Sequence, residues 1–170
     1  MEVPKFLETL EESGLSVWIR ETESLFGFYF FLFLHNIGLA LVVGTILFIG
    51  LRLLGVAPDL PFAPLKKFFK ILWTGLWISV ASGTFLLIAY PTKALTNPLF
   101  YVKLMLVATG VWITRKIERS VFADEGTSEE ARLALGKTLA ARSLVVWIAA
   151  VSAGRLLAYT FRYLVYGRQG

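Results

Sequence analysis

The chain has no cysteine, one histidine and two methionines, and each shortage removes a class of chemistry. Without thiols there are no disulfides, no thiolate metal ligands, no haem joined through Cys-x-x-Cys-His and no cysteine redox exchange. Acids are unevenly distributed: none falls between Glu23 and Asp59, and none from Leu60 to Lys116. Long stretches therefore carry cations with no carboxylate nearby in the chain. The N-terminus also lacks the basic-then-apolar order of a cleavable signal, because Glu8, Glu11, Glu12, Glu21 and Glu23 precede the first apolar run, so this segment is expected to be retained.

What is present is apolar. Of 170 residues 56% are hydrophobic and the mean hydropathy is +0.68, more than a soluble domain needs for its core. A membrane span uses ~20 residues, so the length holds one domain, 1–170, and no second one. The net charge of +5 does not point to nucleic acid, because Lys and Arg flank the apolar runs and form no single stripe.

Residues 1–24 place Phe6, Leu7, Leu10, Leu15, Trp18 and Ile19 at helical spacing among acids, which predicts an amphipathic helix lying at the membrane surface. From Leu25 to Leu51 the sole ionisable side chain apart from tyrosine is His35, and Arg52 ends the run; this is span one, 25–51. Its first turns hold Phe26, Phe28, Tyr29, Phe30, Phe31 and Phe33, suited to an interface, a partner or a flat cofactor. The proline-rich stretch Gly55 to Pro64 breaks the helix, and Lys66, Lys67 and Lys70 lead into span two, 71–90. Asn97-Pro98 supplies an N-cap and a first-turn proline for span three, 98–113, which carries Lys103. A cytoplasmic loop and helix, 114–143, follows, with Thr127 and Glu130 spaced as a capping box, and the helix runs on into span four, 144–166, with Arg155 and Arg162. The expected fold is thus all-α, an integral membrane four-helix bundle with an N-terminal interfacial amphipathic helix.

Basic residues set the orientation. Arg52, Lys66, Lys67 and Lys70 lie between spans one and two, and Arg115, Lys116, Arg119, Arg132, Lys137 and Arg142 between three and four. That face should be cytoplasmic, which puts both termini of this multi-pass protein on the non-cytoplasmic side of a bacterial inner membrane. Small residues repeat every fourth position at Gly75, Ser79 and Gly83 and at Ala150, Gly154 and Ala158, which allows close helix approach in lipid.

Counting rise along each span, His35 and Arg155 fall near mid-depth and Lys103 about one and a half turns in, all in the outer half. An ionisable group in hydrocarbon costs ~3 kcal/mol on insertion scales, so the three are expected to face one another inside the bundle. Their missing anion has to come from a ligand, a lipid phosphate, a partner chain or the interface. A b-type haem meets the need: His35 is the metal ligand, the propionates pair with Lys103 and Arg155, and Gly38, one turn from His35, admits the porphyrin edge. Tyr159 completes the candidate cofactor-binding set, although it and Tyr90 also read as belt or packing groups. The sixth iron position is open to Met105, a tyrosine, water, an exogenous ligand or a neighbouring subunit. The plainer alternatives are a His35 that bonds a neighbouring helix and a Lys103 that snorkels.

Leu34-His35-Asn36-Ile37-Gly38-Leu39-Ala40 running to Leu51-Arg52-Leu53-Leu54-Gly55 resembles the first span of a family of small, functionally uncharacterised bacterial four-helix membrane proteins. Asn97-Pro98-Leu99-Phe100-Tyr101-Val102-Lys103 and Gly154-Arg155-Leu156-Leu157-Ala158-Tyr159 carry the same likeness, which covers most of residues 25–166. More distantly, an early-span histidine with a lysine opening a later span resembles the HemJ-type protoporphyrinogen oxidases and the membrane domain of copper-resistance D-type proteins. The HemJ-type resemblance implies that His35 and Lys103 serve haem binding and activity. A copper path is poorly supplied, with one histidine, no cysteine, and Met1 and Met105 alone as soft ligands.

Three functions follow. One is a haem-binding subunit for electron transfer or a quinone- or porphyrin-linked oxidation. The second is a cofactor-free accessory subunit of a larger membrane complex, or a homo-oligomer, in contact with membrane lipid. The third is an anion or small-molecule transporter; it is the weaker one, with no intramembrane carboxylate and no obvious inverted repeat, and an anion carrier would use Lys103 and Arg155.

Overall fold

A computed structural model describes residues 4–123 and 128–166, with the side chains of 123, 129 and 161–166 left aside. Every regular element in the described residues is helical: α1 (Lys5–Glu11), α2 (Gly14–Glu21), α3 (Phe28–Leu53), α4 (Phe62–Ala89), α5 (Pro91–Leu95), α6 (Pro98–Ile117), a π-helical turn (Glu118–Ala123) and α7 (Glu129–Tyr166). Three of them are long and apolar enough to cross a membrane, Phe28–Leu53, Phe62–Ala89 and Glu130–Thr160 within α7. The 20-residue α6 lies against α7.

Helix ends follow local chemistry. α3 starts at Phe28, after Gly27, rather than at Leu25, because Ser24 and Thr22 spend their hydroxyls on a turn and Leu25 stays 86% exposed. α4 starts at Phe62, earlier than the apolar run at Ile71: Pro64 falls in its first turn, where a missing N–H leaves no bond unmade. Asn97 caps α6, its Oδ1 accepting from the Leu99 N–H at 3.0 Å. The Thr127 half of the capping-box motif lies outside the described residues; the Ser128 hydroxyl accepts from the Ala131 N–H at 3.4 Å at the head of α7. α6 continues past residue 113 to Ile117, and α5 occupies part of the connection after Pro91.

α3 pairs with α4 and α6 with α7, and the two hairpins meet chiefly through α3 and α7. At the end that carries the basic loops, Leu53, Leu65, Phe69, Ile117, Phe122 and Leu139 form a dry core, and Val42, Ile46, Leu72 and Trp147 continue it inward. In lipid such side chains gain little from the hydrophobic effect, so contact depends on how closely backbones approach. The closest approach lies between α3 and α4, where a Cβ added at Gly38 would stand 2.6 Å from the Gly75 carbonyl oxygen. Gly110 receives the Trp147 indole in the same way, at 2.8 Å.

Two features absent from the pattern of apolar runs hold the ends. Arg52 is 3% exposed; its Nε donates to the Leu60 carbonyl at 2.5 Å and its guanidinium lies 4.5 Å from the Phe62 ring, so it ties down the turn after α3. At the other end of α4, the Ser16 hydroxyl donates to the Ile88 carbonyl at 2.8 Å and Arg20 donates to the Ala89 carbonyl at 2.9 Å. α2 therefore supplies donors to carbonyls that the last turn of α4 cannot satisfy itself.

Candidate functional site

His35 enters the site from α3, at the level where Ser79 and Gly83 leave α4 without bulk. Its Nδ1 lies 2.9 Å from the Ser79 carbonyl oxygen. A carbonyl only accepts, so Nδ1 carries the proton, and in the neutral ring Nε2 is left with its lone pair. Nε2 has no hydrogen-bond partner among the described residues. The Ser79 hydroxyl returns a bond to the His35 carbonyl at 3.2 Å, and the buried Ser82 hydroxyl stands 3.4 Å from Nδ1. Gly83 makes the seat: a Cβ there would lie 3.1 Å from His35 Cε1 and 3.2 Å from Nδ1.

Lys103 comes from α6, six residues beyond the Asn97 cap, and its aliphatic stem lies across Gly154 of α7, whose added Cβ would be 3.6 Å from Cε and 3.8 Å from Nζ. It is half-buried and stands within coulombic range of the imidazole. No hydrogen bond or ion pair to its ammonium exists among the described residues. His35 and Lys103 thus share one region of the bundle.

The other three candidates are arranged differently from the expectation. Arg155 is exposed on the outer surface of α7 and has no ion pair or hydrogen bond among the described residues, so it does not turn inward with the other two. Asn97 Nδ2 donates to Thr160 Oγ1 at 3.0 Å, which levels Thr160 with the start of α6, and Arg155 precedes Thr160 by five residues, about 7.5 Å of rise. Tyr159 is exposed, at 65%, on the outer surface of α7 too. Gly38 has no room for a porphyrin edge, because α4 fills the space with Gly75 and Ser79. What the spacing of charged residues could not single out is the role of Ser79, Ser82 and Gly83; the small-residue period of α4 marked a contact face, but only the fold brings the imidazole onto it.

The donor set suits one part of a haem site and not all of it. One imidazole nitrogen is available to iron and one ammonium to a propionate, whereas no group of three or more His, Cys, Asp or Glu occurs among the described residues to hold a bare metal ion. Nδ1–H bonded to a backbone carbonyl is the arrangement that orients ligating histidines generally. A small cavity lies elsewhere, between Phe69, Thr114 and Ser143.

Fold and site together define an all-helical protein with three helices of membrane-crossing length and a polar pair among apolar side chains. The chain belongs to the family described as "Family of unknown function (DUF6644)", whose model matches residues 6–160. No curated protein and no solved structure matches it.

Proposed function

We propose that the chain is a multi-pass subunit of a bacterial cytoplasmic membrane that binds b-type haem, with His35 as axial ligand and Lys103 as partner of a propionate. In this reading α3, α4, α6 and the second half of α7 all cross, the basic loops face the cytoplasm, and α1 and α2 rest on the opposite surface with Phe6, Leu10, Leu15 and Trp18 toward lipid. The observation that carries it is the combination of a fixed imidazole with an unengaged Nε2 and an ammonium that has no counter-ion among the described residues, close enough for the charge to act on the ring. Haem would bring one-electron chemistry. The chain's own part is to hold the ring by Ser79 and Gly83, to offer a nitrogen, and to lend a positive charge to a carboxylate.

Purified protein is the test, in a dithionite-minus-oxidised spectrum. A reducible Soret and α-band in the wild type, lost in His35→Ala, is the expected result; a colourless wild type, or pigment that survives His35→Ala, refutes it.

A second reading is favoured by Arg155. An exposed cation on a helix with no acid from Ala131 to the C-terminus suits an accessory subunit docking on a partner's carboxylate. Loss of a co-purifying membrane partner in Arg155→Glu, with the fold intact, supports that reading, and unchanged partners in the variant remove it.

A further inference from the structure

A buried hydroxyl far from His35 has no assigned role. Ser143 of α7 is 1% exposed and its Oγ has no hydrogen-bond partner among the described residues. Other hydroxyls in these helices behave differently: those of Ser82, Thr114 and Thr160 each donate to the carbonyl four residues back, at 2.5, 2.8 and 2.9 Å. Ser143 instead lines a cavity shared with Ile46 and Gly50 of α3, Phe69 of α4, Thr114 of α6 and Ala140 of α7.

A cavity with apolar walls stays dry, whereas one with two or more polar partners and space for a single molecule holds water. This one has the space for one water. Thr114 Oγ1 donates to the Gly110 carbonyl and accepts from Trp147 Nε1 at 3.3 Å, so one of its two lone pairs is still open. Ser143 has its donor and both lone pairs unused. Gly50 offers backbone alone.

We propose that an internal water binds between Ser143 Oγ and Thr114 Oγ1, bridging α6 to α7 against the α3–α4 hairpin. The site is independent of any haem. It gives the inner core a second polar tie between α6 and α7, beside the Trp147–Thr114 bond.

A structure of the full chain in nanodiscs, at a resolution that shows ordered water, is expected to place one water within hydrogen-bond distance of both oxygens. Ser143→Ala, which removes the tie but keeps the volume nearly constant, is expected to lower the melting midpoint by about 2–4 °C. An empty void, a Ser143 hydroxyl turned onto the Leu139 carbonyl, or a midpoint that holds or rises in Ser143→Ala overturns the proposal, since a dry unpaired hydroxyl is relieved by its removal.

Discussion

His35 and Ser79 exchange hydrogen bonds across the α3–α4 contact: the imidazole Nδ1–H donates to the Ser79 carbonyl at 2.9 Å, and the Ser79 hydroxyl donates to the His35 carbonyl at 3.2 Å. The pair fixes the ring and the local register of two helices at once. Because the Cε1–Nδ1 edge of the ring lies against Gly83, its freedom to turn is small.

This bracket makes the tautomer of His35 measurable. The chain has one histidine, so 15N-histidine labelling gives a single pair of ring signals. In ligand-free protein with a neutral ring they should report the Nδ1–H form. Ser79→Ala keeps the carbonyl and should keep that form, while Gly83→Val should displace the ring and mix the two. A dominant Nε2–H signal in the wild type contradicts the assignment.

Lys103 is predicted to contribute by charge. A charge-assisted bond to a carboxylate contributes about 1.5–3 kcal/mol, so Lys103→Met should weaken haem binding by about 10- to 100-fold in a titration. Lys103→Arg should recover most of it. Equal affinity in all three proteins means the ammonium has no part in the site.

The glycines of α3 divide by their surroundings. Gly44 has nothing within 4 Å of an added Cβ, so Gly44→Ala should be neutral or stabilising by about 0.5–1 kcal/mol through lost unfolded-state entropy. Gly38→Ala puts a methyl 2.6 Å from the Gly75 oxygen and should destabilise by about 1–3 kcal/mol or separate the helices. Thermal unfolding in one detergent compares them. Equal midpoints for the two variants would dispose of the close α3–α4 packing.

Removing the donors on α2 should loosen the end of α4. Ser16→Ala and Arg20→Met each delete a bond to a terminal carbonyl, a loss of about 1–2 kcal/mol apiece. Hydrogen exchange of the last turn before Pro91 should quicken in both, with α6 unchanged. Wild-type protection in the double variant excludes this role for α2.

The amino-acid pattern made the helices legible and left their pairing hidden. Apolar runs bounded by Arg52, the prolines and Asn97 locate the long segments, because span length and caps are local properties. Pro64 misleads as a helix breaker since the same ring is harmless in a first turn. His35 and Lys103 stand out by their rarity in apolar sequence. Arg155 shares that rarity but faces outward, because depth along a helix can be counted from sequence while the direction of a side chain depends on which face its neighbours cover. Ser79, Ser82 and Gly83 matter through contacts made more than 40 residues away in sequence, which no local spacing encodes.

Ser16 must wait for Ile88, 72 residues downstream, before its hydroxyl has that carbonyl to donate to. α2 therefore docks only once α3 and α4 are both in place. A bulky N-terminal fusion should consequently act late, leaving insertion of the hairpin untouched and slowing the final closure over Ala89.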